Sequence, residues 1–202
     1  MSKKVGLFFG SFNPVHVGHM ILANHLTQNT DLDEVWMVVS PHNPHKKKAN
    51  LLEDHHRLAM VRIACEDNPK LKAADIEFNL PKPSYTVFTL QKLKEDYPDH
   101  TFVLIMGEDN LRSFHKWKNY EYILDHHDIY VYPRVLTVQE LDQESREENA
   151  LALHQRVHLL KDVPMMKISS SFIRKSVAGK KDVKYLLTEK VHEYLDEMNF
   201  YK

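Results

Sequence analysis

One cysteine, Cys65, stands in 202 residues, so the chain can form no internal disulfide, as expected of a protein kept in a reducing cytoplasm. Glycine is scarce, with five in all, so each one near a turn calls for a reason. No apolar run approaches the roughly 18 residues that a membrane-spanning helix needs. Neither sign of charge is in excess: 27 Lys and Arg against 28 Asp and Glu leave a formal net charge of -1. Such a balance offers no global field to a nucleic-acid backbone. The expectation is that neither nucleic acid nor a membrane is a partner. Lys46-Lys47-Lys48 is the local exception. The opening Met-Ser-Lys-Lys leads into an apolar run that reads as a strand rather than a secretory segment. A length of 202 residues suits one domain whose core needs no staples.

What is present is an alternation. Strand-like apolar runs cover Val5 to Phe9, Glu34 to Val39, Lys72 to Phe78, Thr101 to Met106, Asp128 to Tyr132 and Arg156 to Leu160. The run at Thr101 is continuous, as in a strand covered on both faces. Helical patterns cover Met20 to Gln28, Asp54 to Glu66 and Ser84 to Asp96, and further helices are expected from about Ser170 and from about Val183. Gln139 to Asn149 is polar and charged, a solvated helix or an insertion. This alternation predicts a Rossmann-like, doubly wound α/β fold: a mainly parallel sheet with helices on both faces. Ligands in such folds sit at the carboxyl ends of the strands.

The first strand runs into Gly10-Ser11-Phe12-Asn13-Pro14-Val15-His16-Val17-Gly18-His19, and a helix follows. Gly10 and Gly18 carry no Cβ and let a backbone come close to a ligand. A helix start offers free N–H groups and a positive dipole end, which suit phosphate. Two imidazoles add hydrogen-bond donors, and the segment reads as a triphosphate cradle; the bland alternative is a turn with two surface histidines. His16 and His19 could also share one metal, but no third ligand stands at a recognisable spacing, and the 14 histidines are scattered. No resident metal site is expected. Downstream, Ser169 to Arg174 puts hydroxyls at a predicted helix start and a guanidinium one turn later, which can fork onto two phosphate oxygens. A serine cap with a surface arginine is the alternative. Ser84 and Thr86 suit a helix N-cap, Gly107 to Asp109 suits a turn, and Trp117 suits a core. Arg57 could be a surface ion-pair partner.

Gly10 to His19 resembles the G-x-F-x-P-x-H-x-G-H signature of the HxGH nucleotidyltransferase superfamily. Ile168-Ser169-Ser170-Ser171-Phe172-Ile173-Arg174 is similar to its I-S-S-T-x-I-R. Within that superfamily the chain looks like the bacterial nicotinate-nucleotide adenylyltransferases over nearly its whole length. Phe9 stands where many members have a second glycine, and Ser171 replaces the usual threonine but keeps the hydroxyl.

The resemblance implies one nucleotidyltransferase domain over residues 1–202, with C-terminal helices from about 170 completing the ATP site. It implies transfer of AMP from ATP to nicotinate mononucleotide, with Mg²⁺ accompanying ATP. Gly10, Ser11, Phe12, His16, Gly18 and His19 would bind ATP, with Gly107, Asp109, Ile168, Ser169, Ser170, Ser171 and Arg174. Asn13, Ser84, Tyr85, Thr86, Asp109 and Trp117 would hold the mononucleotide, and Lys46 would reach the phosphates from a loop. His16, His19, Lys46 and Arg174 would carry the catalysis. In the same reading the Thr86 N–H meets the nicotinate carboxylate, and Trp117 lies face-on against the pyridine ring. The rivals are a related adenylyltransferase acting on nicotinamide mononucleotide or phosphopantetheine, and a non-catalytic nucleotide sensor on the same fold. A homo-oligomer is compatible with all of these.

Overall fold

Val5, Leu7 and Phe8 show how the apolar runs resolve. The computed structural model describes residues 1–41, 51–133 and 150–202, and places these three in β1 (Lys4–Gly10). Val5 and Leu7 enter one hydrophobic core and Phe8 the other, as a strand period of two requires. In β2 (Glu34–Val39) Val35, Met37 and Val39 join Phe8, while Trp36 and Val38 join Leu7. The further strands are β3 (Leu71–Ala74), β4 (Thr101–Gly107), β5 (Ile129–Tyr132) and β6 (Val157–Leu159).

The strand order is β3-β2-β1-β4-β5-β6, and every pairing is parallel. The chain winds outward from β1 to β3, then crosses to β4 on the other side of β1 and winds outward again. The order therefore reverses between β1 and β4, which pair from Lys4↔Thr101 to Phe8↔Ile105. Such a reversal opens a crevice at the carboxyl ends of the two strands.

The helices are α1 (Val17–Asn29), α2 (Asp54–Cys65), α3 (Thr86–Asp96), α4 (Glu108–Ser113), α5 (Tyr120–His126), α6 (Ser170–Ala178) and α7 (Glu189–Glu197). One face of the sheet is covered by α1, α2, α6 and α7, through Leu26, Met60, Ile173 and Val191 among others. The opposite face is covered by α3, α4 and α5, through Leu90, Leu111 and Ile123. The doubly wound arrangement is as the alternation predicts. Among the described residues no helix is long and apolar enough to cross a membrane.

Several boundaries differ from the sequence expectation. The α1 helix begins at Val17 instead of Met20, because His16 takes an extended cap conformation and its carbonyl accepts from His19 N–H at 2.9 Å. The strand expected over Lys72 to Phe78 ends at Ala74, and Ile76–Asn79 forms a 3-10 turn. There the Glu77 side chain turns inward and accepts from Thr89 Oγ1 of α3 at 2.9 Å. Tyr85 caps α3, not Ser84. The helix expected from about Val183 starts at Glu189, since Val183 and Leu187 enter the core on either side of a short 3-10 turn. The pair α4 and α5, unforeseen in the apolar pattern, is separated by a left-handed Asn119 (φ 52°), a conformation that asparagine tolerates. Lys46 and the Gln139 to Asn149 segment lie outside the described residues.

Candidate active site

Every element that ends at the crevice contributes polar groups. The carboxyl end of β1 delivers Ser11, Phe12 and Asn13. Phe12 has a left-handed φ of 44°, and its ring is buried over Gly10, where a Cβ would meet Phe12 Cζ at 2.7 Å. The room left by the missing side chain at Gly10 is thus filled by Phe12. At Gly18 the same room is taken by the His16 ring, 3.1 Å from where a Cβ would stand.

The two histidines act as a unit. Their rings stack with centroids 3.7 Å apart and planes 20° apart. The His16 backbone N–H donates to His19 Nδ1 at 3.2 Å. An accepting Nδ1 puts the proton of the neutral His19 ring on Nε2, where it is a donor. His16 is only 5% exposed, and its Nδ1 has no hydrogen-bond partner. Burial pulls its pKa down to about 4. His16 therefore works at neutral pH as an uncharged imidazole, with one donor and one lone pair.

The downstream motif is brought against this loop. Ser169 caps α6 by accepting from Phe172 N–H at 3.2 Å, so Ser169 behaves as a helix cap. Its neighbours do more: Ser170 Oγ donates to Pro14 O at 2.8 Å, and Arg174 donates to Asn13 O at 2.7 Å and to Ser171 Oγ at 3.1 Å. Ile168 precedes them half-buried. Ser170 and Arg174 thus tie the N-terminal part of α6 to the loop that leads into α1. Beside this junction a cavity of about 620 Å³ is lined by Leu51, Leu52, Ser171, Arg174, Lys175 and Tyr201, with Lys202 at its edge. Its three cationic side chains suit a polyanion.

Arg57 is not a surface residue. It is fully buried and donates to Ser11 O at 2.6 Å, Ser40 O at 2.9 Å, Leu52 O at 3.0 Å and Asp54 Oδ1 at 2.6 Å. Burial lowers its pKa while Asp54 holds it up. One guanidinium thereby ties the loop after β1 to both flanks of the segment that carries Lys46. Asn13 is a second hub. Its Oδ1 accepts from Tyr201 O–H at 2.6 Å and from Leu52 N–H at 3.3 Å. Tyr201 gave no signal in the sequence; it belongs to the last turn of the chain.

The other half of the crevice lies over the opposite core. Gly107 ends β4 next to β1, and Asp109 folds back so that its Oδ1 lies 2.5 Å from where a Gly107 Cβ would stand. Trp117 is half-buried, edge-on to Phe114 with centroids 5.2 Å apart. It packs against the same core as Tyr85 and Phe88, so the Ser84-Tyr85-Thr86 and Trp117 elements occupy one face of the sheet. Ser84 Oγ is buried and without a hydrogen-bond partner. Among the described residues no three His, Cys, Asp or Glu stand close enough to hold a metal ion.

Comparison with known proteins bears on this geometry. Residues 7–176 match the cytidylyltransferase-like family model. A protein of Flavobacterium johnsoniae named "Probable nicotinate-nucleotide adenylyltransferase" is 55% identical over 98% of this chain and 99% of its own length. A protein of the same name from Christiangramia forsetii is 54% identical over the whole of both chains. Among solved structures, Plasmodium falciparum nicotinic acid mononucleotide adenylyltransferase complexed with NaAD shares the fold. It has a TM-score of 0.73 at 20% identity, covering 98% of this chain and 97% of that one.

Proposed function

The chain belongs to the cytidylyltransferase-like family, and from that membership and the meeting of its two signatures we infer that it is a nicotinate-nucleotide adenylyltransferase. A phosphate oxygen of nicotinate mononucleotide attacks the α-phosphorus of ATP. The bond to the β-phosphate oxygen breaks and pyrophosphate leaves. The product is nicotinate adenine dinucleotide, a step of NAD biosynthesis. No protein nucleophile is needed. The work is alignment of two anions and stabilisation of charge on the transferring phosphoryl group.

The observation that carries this reading is Arg174 donating to Asn13 O at 2.7 Å, which joins the two motifs across the sequence. In this reading His19 Nε2–H and His16 donate to phosphoryl oxygens. Gly10, Ser11, Phe12 and Gly18 shape the loop under the ATP phosphates. Ser169, Ser170, Ser171 and Arg174 take the leaving β- and γ-phosphates, with Ile168 beside them and Lys46 arriving from its loop. Asn13, Asp109, Ser84, Tyr85, Thr86 and Trp117 seat the mononucleotide, and Gly107 lets Asp109 close on ribose. Residues 1–202 act as one domain, completed at the ATP end by α6 and α7.

Mg²⁺ enters as the partner of ATP. A nucleotide-bound Mg²⁺ keeps waters and phosphate oxygens and needs only one or two carboxylates, not an all-protein cage. Asp109, folded over Gly107 at the crevice, fits that demand. The ion would neutralise charge on the leaving pyrophosphate.

The test is pyrophosphate release with MgATP and three acceptors: nicotinate mononucleotide, nicotinamide mononucleotide and phosphopantetheine. Turnover with the first well above the others is expected. ATP binding with no release from any acceptor would identify a sensor, and preference for phosphopantetheine a different transferase.

A further inference from the structure

Lys118 follows Trp117, and its ammonium stands 4.8 Å from the Tyr85 ring centroid and 4.7 Å from that of Phe88. The two rings meet edge to face, 6.1 Å apart. A cation held by two ring faces is attracted to both quadrupoles and loses part of its freedom. Those rings belong to the residue before α3 and to its first turn, where a helix leaves N–H groups without intrahelical acceptors. Ser84, one residue earlier, is 9% exposed, and its Oγ has no partner. Lys82 in the same stretch is paired with Asp54. Lys118 has no ion pair among the described residues. A positive charge with no ion pair among the described residues thus sits over the two rings that open α3. An anionic group there would supply its counter-ion and accept from the N–H groups of the helix start.

We propose that Lys118 sets the preference of the acceptor site for an acid over the corresponding amide. The proposal rests on the functional reading above, in which the pyridine end of the mononucleotide meets the start of α3. N–H groups alone discriminate weakly, because a carboxamide can rotate to offer them its oxygen. A cation adds attraction that only the ionised acid feels. Holding that cation on aromatic faces rather than on a carboxylate leaves its charge available.

The experiment measures kcat/KM for nicotinate mononucleotide and nicotinamide mononucleotide at saturating MgATP. It compares wild type, Lys118→Gln and Lys118→Arg. Lys118→Gln should lower the acid value about tenfold, the loss of one partly screened charge contact. The amide value should stay within about twofold, and so should the KM for ATP. Lys118→Arg should keep the acid-to-amide ratio. The side chain is exposed, and a melting curve verifies that each variant is folded. A ratio unmoved in a folded Lys118→Gln, or equal loss for both acceptors, overturns the role of Lys118 while the transferase reading stands. Wild-type protein that adenylylates neither acceptor overturns the functional reading and this proposal with it.

Discussion

The Tyr201 phenol donates to Asn13 Oδ1 at 2.6 Å, joining residues 188 apart in sequence. Asn13 in turn accepts from Arg174 through its carbonyl and from Leu52 N–H through Oδ1. The C-terminal segment is therefore a brace on the loop that follows β1. Phe200 seats it, with its ring 4.8 Å from that of His56 and 5.9 Å from that of Tyr194. Burial raises the Tyr201 phenol pKa against the pull of Arg174 and Arg57, so the group remains a donor throughout the working pH range.

Tyr201→Phe keeps the ring and removes that donor. We expect a stability loss of about 1 kcal/mol, the net worth of one hydrogen bond. We also expect kcat to fall roughly fivefold, because Asn13 then holds Arg174 less firmly. Urea denaturation and steady-state kinetics read the two effects. A variant with reduced stability and unchanged kcat would confine the bond to folding.

Arg57→Lys keeps the charge but not the fork. An ammonium offers three donors on a flexible stem and cannot reach Ser11 O, Ser40 O, Leu52 O and Asp54 together. Buried carbonyls left without donors cost about 1–3 kcal/mol each, so the predicted loss is about 3 kcal/mol. The KM for both substrates should rise as well, since Ser40 and Leu52 flank the segment carrying Lys46. A variant as stable as wild type would show that the carbonyls find other donors.

The strands and their parallel pairing were legible because the buried runs are apolar and the connections between β1 and β4 carry helical patterns. The two motifs assigned to phosphate were visible as patterns because their groups are local: hydroxyls, imidazoles and a guanidinium at helix starts. What was not legible depends on tertiary contact. Charge made Arg57 look like a surface group, and the carbonyls of two separate loops together with Asp54 make its burial tolerable. Ser84 looked like a cap, but the backbone turn at Tyr85 took that role and left its hydroxyl buried. Glu77 reads as a strand residue until Thr89 of α3 draws it inward. Nothing local in Tyr201 or Lys118 announces a partner far away in the chain.

His16 should make stability depend on pH in a definable window. Its folded pKa, about 4, lies below the ordinary value near 6.5. The unfolded chain therefore takes up this proton first as pH falls. The stability lost is absent above about pH 6.5, and accumulates down to the folded pKa. Between pH 7 and pH 5 wild type should lose about 2 kcal/mol relative to His16→Asn, in which no imidazole titrates. The two proteins compared by urea titration at both pH values isolate this group from the other histidines. Parallel losses would mean that the imidazole charges in the folded protein without cost.

His19 separates local structure from chemistry, because its two nitrogens have different tasks. Nδ1 accepts from the His16 N–H at 3.2 Å, closing the start of α1. Nε2, bearing the proton, is the donor assigned to a phosphoryl oxygen in the transition state. His19→Ala removes both, and turnover should fall about 10²–10³-fold, as for one preorganised oxyanion donor. An Asn side chain places a polar atom near the Nδ1 position, and a Gln amide places an N–H near that of Nε2. His19→Asn should therefore retain more stability than His19→Gln, and His19→Gln more turnover than His19→Asn. Melting temperature and kcat measured on the same three variants read the two nitrogens independently. Turnover that tracks stability across the series would make His19 a helix cap alone; opposite orders for the two quantities would assign the catalytic contact to Nε2.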